Sequence, residues 1–198
     1  MNSDSWNARY REAAAQADTV WSLEPNAWVA EAVASLTPGT AVDLAAGEGR
    51  NALWLASLGW RVTAMDFAAV GLATGAGRAQ QLGLEVAWKK ADATTWRSPE
   101  PVDLVVIAYL QLPADELAAA IGNAAASLAP GGRLVLIGHD RDNLARGVGG
   151  PQDPAVLLTV DELRAAASGL EIVECRQYER QTADGRTAID AILVARKN

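Results

Sequence analysis

Asp43-Leu44-Ala45-Ala46-Gly47-Glu48-Gly49-Arg50-Asn51 decides the fold of this chain. The apolar, β-like run Ala41-Val42-Asp43-Leu44 leads into the glycines, and Ala52, Leu55 and Ala56 follow at helical spacing. The G-x-G turn therefore stands at a strand-to-helix junction, where glycine lets the backbone approach a ligand with no Cβ in the way. Gly47-x-Gly49-x-x-Ala52 also fits the relaxed dinucleotide fingerprint, and Asp66 follows at a distance suited to binding a ribose. The turn alone leaves more than one cofactor open.

Asp43 helps to separate them. A dinucleotide would place a doubly charged pyrophosphate over the turn, where a carboxylate at the strand end repels it. S-adenosylmethionine has no phosphate and carries an ammonium and a sulfonium, so a carboxylate favours it directly or through water. The run resembles the cofactor motif of class I S-adenosylmethionine-dependent methyltransferases.

Away from the turn the chain alternates. Two helical segments, roughly Asp4 to Ala17 and Asn26 to Leu36, come first, and Thr37-Pro38-Gly39 punctuates. Strand Ala41 to Leu44, helix Arg50 to Leu58, strand Arg61 to Met65, helix Ala69 to Leu82 and strand Leu84 to Trp88 then follow. The second half repeats the rhythm with strand Val102 to Ala108, helix Pro113 to Leu128, which Pro130-Gly131-Gly132 ends, and strand Arg133 to Ile137. Such alternation implies parallel strands with right-handed helical crossovers. Thr159-Val160-Asp161-Glu162 has the form of a capping box opening a last helix that Gly169 stops. Glu171 to Glu179 and Thr187 to Val194 flank a turn at Ala183-Asp184-Gly185 and predict an antiparallel hairpin. The expected fold is α/β: a Rossmann-like, seven-stranded, mostly parallel sheet with a C-terminal antiparallel hairpin and helices on both faces. Such a hairpin is a second feature shared with the class I methyltransferase core, since a common dinucleotide-binding sheet ends in a parallel strand.

Gly71, Gly75 and Gly77 fall inside one predicted helix, each costing about 1 kcal/mol relative to alanine, so that helix is expected to fray or to pack closely. Asp140 to Leu158 is the one long segment without a periodic pattern.

At 198 residues, half of them hydrophobic, the chain suits a single domain with a sizeable core. A net charge of −7 opposes an electrostatic footprint for nucleic acid, and no apolar run reaches the length of a membrane span. With one cysteine, Cys175, no internal disulfide or cysteine metal cluster forms. The expectation is a soluble, cytoplasmic monomer or homodimer with a small-molecule partner, no nucleic acid and no membrane. No metal site is expected, because Asp140 and Asp142 lack a clear ligand spacing for Mg²⁺.

Ligands of open α/β sheets sit just past the strand ends. Asp66 could accept from both ribose hydroxyls, or cap a helix, and Phe67 could pack on adenine, or on the core. Asp92 could accept from an adenine amino group with the Ala93 amide facing the ring, or start a turn. Tyr109 and Gln111 could line a methyl-transfer channel, although Tyr109 could equally be an interior aromatic with a bonded hydroxyl. His139, the only histidine, could take a proton from an acceptor, oriented by Asp140, or position substrate, or be structural.

Within class I the chain is most similar to the small-molecule group that includes tellurite-resistance and thiopurine methyltransferases. The similarity lies in Asp43 to Ala52, in Trp60-Arg61-Val62-Thr63-Ala64-Met65-Asp66-Phe67, and in Trp21 with Pro25-Asn26. It implies a cofactor lying across Asp43, Ala45, Gly47, Gly49, Arg50, Asn51, Asp66, Phe67, Asp92, Ala93 and Ala108. Trp21, Tyr109, Gln111 and His139 would then face the acceptor. It further implies a single domain over 1–198, with 1–37 as a helical lid anchored by Tyr10, Trp21 and Trp28 and 38–198 as the core. An NAD-type oxidoreductase on the same turn and a non-catalytic cofactor-binding module are the alternatives.

Overall fold

Apolar residues on the central strands alternate between two faces of one sheet. Val42, Leu44, Val105, Ile107, Leu134 and Leu136 point to one side, and Ala41, Leu104, Val106, Val135 and Ile137 to the other. A computed structural model describes residues 3–16, 20 and 22–198. Along it run α1 (Ser3–Ala15), α2 (Ala27–Val33), β1 (Thr40–Leu44), α3 (Arg50–Ser57), β2 (Arg61–Asp66), α4 (Ala69–Leu82) and β3 (Val86–Lys90). There follow β4 (Val102–Ala108), α5 (Ala114–Ser127), β5 (Leu128–His139), α6 (Asn143–Arg146), α7 (Val160–Ala166), β6 (Glu171–Gln181) and β7 (Thr187–Arg196).

The sheet order is β3-β2-β1-β4-β5-β7-β6. β1 to β5 pair in parallel, and β7 enters antiparallel to both β5 and β6. A doubly wound dinucleotide sheet runs 3-2-1-4-5-6 with the last strand parallel, so the hairpin is what sets this sheet apart. α2 and α3 cover one face and α5 and α7 the other. β7 is buried from Ala188 to Ala195, as an interior strand must be. The edges carry charge instead: Lys89 and Lys90 on β3 are exposed, as are Glu171, Arg176 and Glu179 on β6.

The capping box forms, with Thr159 and Glu162 each bonding the other's backbone N–H. The glycine-rich α4 packs closely. A Cβ at Gly75 would strike the Trp88 ring and one at Gly71 would meet Gly47 O at 3.0 Å, whereas Gly77 faces open space. α4 has no cap from its own N-cap residue; Asn7 of α1 supplies one, its Oδ1 accepting from Val70 N at 2.9 Å.

Three expectations shift. β3 starts two residues later than the apolar pattern suggests, because Gly83 (φ +66) and Leu84 close the end of α4 with bonds to Gln80 O and Ala79 O. α5 ends at Ser127, since Leu128 is buried and already paired with Val102; Pro130-Gly131-Gly132 then forms an irregularity within β5 rather than a helix stop. The segment from Asp140 to Leu158 is ordered by α6, by a single 3-10 turn at Pro154–Val156 and by a bridge between its two ends. Buried Asn143 holds it to β7, accepting from Ile189 N at 2.7 Å and donating to Gly149 O at 2.9 Å.

Candidate functional site

Past the carboxyl end of β1 the chain turns through Ala45 (φ +64), Gly47 (φ +58) and Gly49 (φ +76). Ala45 is one of two non-glycine residues with positive φ among those described. Asp66, at the end of β2, stabilises the turn: its Oδ2 accepts from Gly47 N at 2.8 Å while Oδ1 accepts from Ala68 N at 2.7 Å. Trp88 reaches across from β3, its ring filling the space that a Cβ at Gly49 or Gly75 would take. Gly49 is thus required twice, by conformation and by Trp88.

Two hollows open over the turn and share Ala45, Asp66, Phe67, Leu110 and Leu112 as walls. The larger, about 260 Å³, adds Asp92, Ala93, Thr94 and Glu116, so that its charged walls are all acidic. The smaller is bounded by Trp6, Tyr10, Arg50, Asn51, Ala108, Tyr109 and Gln111. Beyond Arg50 and Tyr109 lies a third cavity of about 270 Å³, lined also by Ser22, Asn26, His139 and Arg180.

Behind that cavity sits Asp190, wholly buried on β7. Its Oδ2 accepts from Tyr109 Oη–H at 3.0 Å and from Arg180 Nε–H at 2.9 Å. Its Oδ1 lies 3.1 Å from Nδ1 of His139, but the two atoms are out of line for a hydrogen bond and neither has another partner. The rings of Tyr109 and His139 are 4.8 Å apart, and Gly150 leaves room for the imidazole, which a Cβ there would meet at 2.9 Å. Tyr109 is the other residue with positive φ (+58), held by its N–H to Ile137 O at 2.8 Å. Tyr109 just past β4, His139 on β5 and Arg180 on β6 thus surround a single carboxylate carried by β7.

Burial sets the electrostatics. The Asp43 carboxyl is pushed up to about 7 by loss of water, against its bond from Ala52 N and the attraction of Arg50. Burial also raises Asp66 and, together with the Asp190 charge, keeps the Tyr109 phenol protonated well beyond its usual range. Arg50 is shifted down, first by burial and also by the like charge of Arg180.

The structure gathers Ala45, Asp66, Phe67, Asp92, Ala93, Ala108, Arg50 and Asn51 around the first two hollows, with Gly47 and Gly49 in the turn beneath. Asp92 also makes the turn that competes with a ligand role, accepting from Thr94 N and Oγ1. Two expectations need correction. Asp43 lines none of these cavities; it is buried under the turn and caps α3 through Ala52 N at 3.0 Å. Asp140 does not orient His139, because its Oδ1 is turned to Asp142 N at 2.8 Å and Gln177 Nε2 at 3.0 Å. The carboxylate beside His139 is that of Asp190, its Oδ1 3.1 Å from Nδ1. Tyr109, Gln111 and His139 do border the cavities. Trp21 lies outside the described residues, Tyr10 lines a hollow, and Trp28 belongs to the core. Trp6, Asn26, Arg180 and Asp190 escaped the sequence reading. The signal for Asp190 was the one that marked Asp43, an acid inside an apolar strand.

Residues 41–132 match the family described as "Methyltransferase domain". That stretch, a little under half of the chain, is similar to the family, and the sheet order is that of the class I methyltransferase fold. No curated protein sequence matches it. Among solved structures, TehB from Haemophilus influenzae superposes on this chain with a TM-score of 0.74 at 22% identity, over 88% of this chain and 63% of that one. The chain therefore spans somewhat less than two thirds of TehB. NodS, an N-methyltransferase of Bradyrhizobium japonicum solved with S-adenosylhomocysteine, gives 0.71 at 20% identity over 97% and 98% of the two chains. A SAM-dependent methyltransferase of Methanosarcina mazei gives 0.70 at 18% identity over 88% and 98%. At these identities the likeness establishes the fold, and the methyltransferase domain match stands independently of it.

Proposed function

We propose that this methyltransferase moves a methyl group from S-adenosylmethionine to a small-molecule acceptor. The observation that carries the reading is that the cleft over the G-x-G turn and the His139 cavity share Arg50 and Tyr109 as walls. The cleft suits the cofactor on its own chemistry. Asp66 and Phe67 offer a carboxylate and a ring side by side, and the larger hollow has Asp66, Asp92 and Glu116 but no basic side chain. That wall favours a cationic nucleoside and opposes a pyrophosphate. Asp66, Phe67, Asp92 and Ala93 would hold the adenosine, and Ala45, Asn51, Ala108 and Gln111 the remainder.

When bound, S-adenosylmethionine supplies an electrophilic methyl on a sulfonium, and an O–H or N–H acceptor that takes it must lose a proton. His139 is the group placed to receive that proton, and the Asp190 carboxylate, 3.1 Å from its Nδ1, offsets the charge it gains. Tyr109 stays neutral and, with Arg180, holds Asp190 in place. Alignment of the two cavities supplies the proximity that an in-line displacement needs.

The same reading treats 1–198 as one domain in which 1–37 closes the cofactor cleft. It is supported by Trp6 and Tyr10 in the cleft wall and by Glu48 accepting from Val20 N at 3.0 Å. Among the described residues no helix is long and apolar enough to cross a membrane. We place the enzyme in the cytosol as a monomer or homodimer acting without nucleic acid, in keeping with its single buried cysteine and its charge of −7.

Calorimetric titration with S-adenosylhomocysteine and with NAD tests the assignment. Micromolar binding of the former with none of the latter is expected. The reverse result would replace methyl transfer with hydride transfer on the same turn.

A further inference from the structure

Two helices meet at the rim of the cofactor cleft, and one completes the other. α4 begins after Ala68, which offers no side-chain cap, and the N–H of Val70 is taken instead by Oδ1 of Asn7, 2.9 Å away on α1. α1 has only 13 residues, marginal for a helix in isolation, and its two buried side chains, Trp6 and Tyr10, form part of the cleft wall. We propose that Asn7 is a positioning residue for the methyl donor: by capping α4 from α1 it holds Trp6 and Tyr10 at the cleft, so that cofactor affinity depends on a side chain that lines neither hollow. The inference rests on the methyl-transfer reading and adds to it the residue that fixes this wall.

Spacing along α1 makes the arrangement possible. Ser3, Trp6 and Tyr10 recur at helical intervals on the face turned to the two hollows, and Asn7, next to Trp6, reaches α4. The rings of Trp6 and Tyr10 stack at 5.7 Å, so a bond beside one of them orients both. Below them the packing continues to the G-x-G turn, for a Cβ on Gly71 would meet Tyr10 Cε2 and Gly47 O at 3.0 Å each. The amide that Asn7 caps thus adjoins the residue on which Tyr10 rests. The hold on α1 is modest. Trp6, Tyr10 and Ala68, with Phe67, Val70 and Val20 against them, form an apolar cluster of their own, apart from the two that cover the faces of the sheet. One cap is a substantial share of what docks a short helix on so small a cluster. A donor that touches Trp6 and Tyr10 binds the docked arrangement, so its apparent affinity falls with the docked fraction. By linkage, the donor strengthens docking by the same factor.

The probe is S-adenosylhomocysteine, titrated calorimetrically into the full-length protein and into its Asn7→Ala and Asn7→Asp variants, with amide hydrogen exchange followed in α1 and, as an internal reference, in β4. Asn7→Ala should bind about fivefold more weakly, the effect of one lost cap, whereas Asn7→Asp, which keeps the accepting oxygen, should stay within about twofold of the unsubstituted protein. Exchange across α1 should quicken in unliganded Asn7→Ala and slow again when the ligand saturates it. β4 should remain protected throughout, which shows that the variant is folded. A cap that served only stability would lower the melting temperature and leave affinity unmoved. The proposal is overturned if Asn7→Ala binds within about twofold of the unsubstituted protein, if Asn7→Asp is as weak as Asn7→Ala, or if affinity falls while α1 exchange is unchanged. Absence of binding to the unsubstituted protein would instead overturn the methyl-transfer reading, and this proposal with it.

Discussion

Asp190 and His139 show how little of the proposed acceptor site lies in any one motif. Replacing His139 by Gln removes the proton acceptor while keeping a polar side chain of similar reach. Turnover of an O–H or N–H acceptor should fall about a hundredfold, at the lower end of what general-base catalysis supplies. S-adenosylhomocysteine affinity should not change. If turnover survives, His139 is structural. Gly150→Ala puts a methyl group against the imidazole and requires a left-handed alanine. Turnover should drop more than tenfold while binding of S-adenosylhomocysteine, in a cleft that Gly150 does not line, is retained.

Asp43 makes stability depend on pH. Its carboxyl is at 3.8 in the unfolded chain and about 7 in the fold, so the folded state binds the extra proton between those values. The sign follows: this residue's contribution is best below pH 3.8 and declines as pH rises to about 7, by at most roughly 4 kcal/mol. Asp43→Asn should flatten the fall in denaturation midpoint between pH 5 and pH 8, and an unchanged slope would assign the dependence elsewhere. Asp43 and Asp190 are both buried acids within apolar strands, and Asp43 was legible because glycines follow it. Asp190, in Ala188-Ile189-Asp190-Ala191-Ile192, has no such neighbour, and its partners are Tyr109, His139 and Arg180 from other parts of the chain. Its strand marks it as an acid among apolar residues, but nothing local names those partners.

Among the elements, α4 separates propensity from packing. Its three glycines carry the same helical penalty, yet only the fold says which can be replaced. Gly77→Ala meets nothing and should stabilise the protein by about 0.5–1 kcal/mol, whereas Gly75→Ala overpacks Trp88 and should cost about 1–3 kcal/mol. Denaturant melts of the two variants should move in opposite directions. Helix and strand types were legible throughout from periodicity, while boundaries failed where a tertiary bond decided them. Leu84 closes α4 instead of opening β3, and Leu128 joins β5 because Val102 is there to pair with it. The Asp140 to Leu158 segment looked irregular because its order comes from Asn143 reaching β7, a contact with no sequence period.

For the whole molecule, the family match over 41–132 includes the turn, Asp66, Asp92 and Tyr109 but stops before His139, Arg180 and Asp190. The turn and its strand-end residues were therefore legible early, as were Tyr109, Gln111 and His139, whereas Arg180 and Asp190 emerged only in three dimensions. Among the described residues the charged walls of the larger hollow are acidic, and those of the third cavity include Arg50 and Arg180.

The insertion of β7 between β5 and β6 also gives the site a chronology. A nascent chain extends from its N-terminus, so the G-x-G turn, Asp66 and Asp92 leave the ribosome well before Asp190. A chain halted near residue 185 has the complete cofactor motif and His139, but lacks the strand whose carboxylate gathers His139, Arg180 and Tyr109. Because β7 also joins β5 to β6 and supplies side chains to both faces of the core, the strand that completes the sheet and the strand that completes the carboxylate cluster are one and the same.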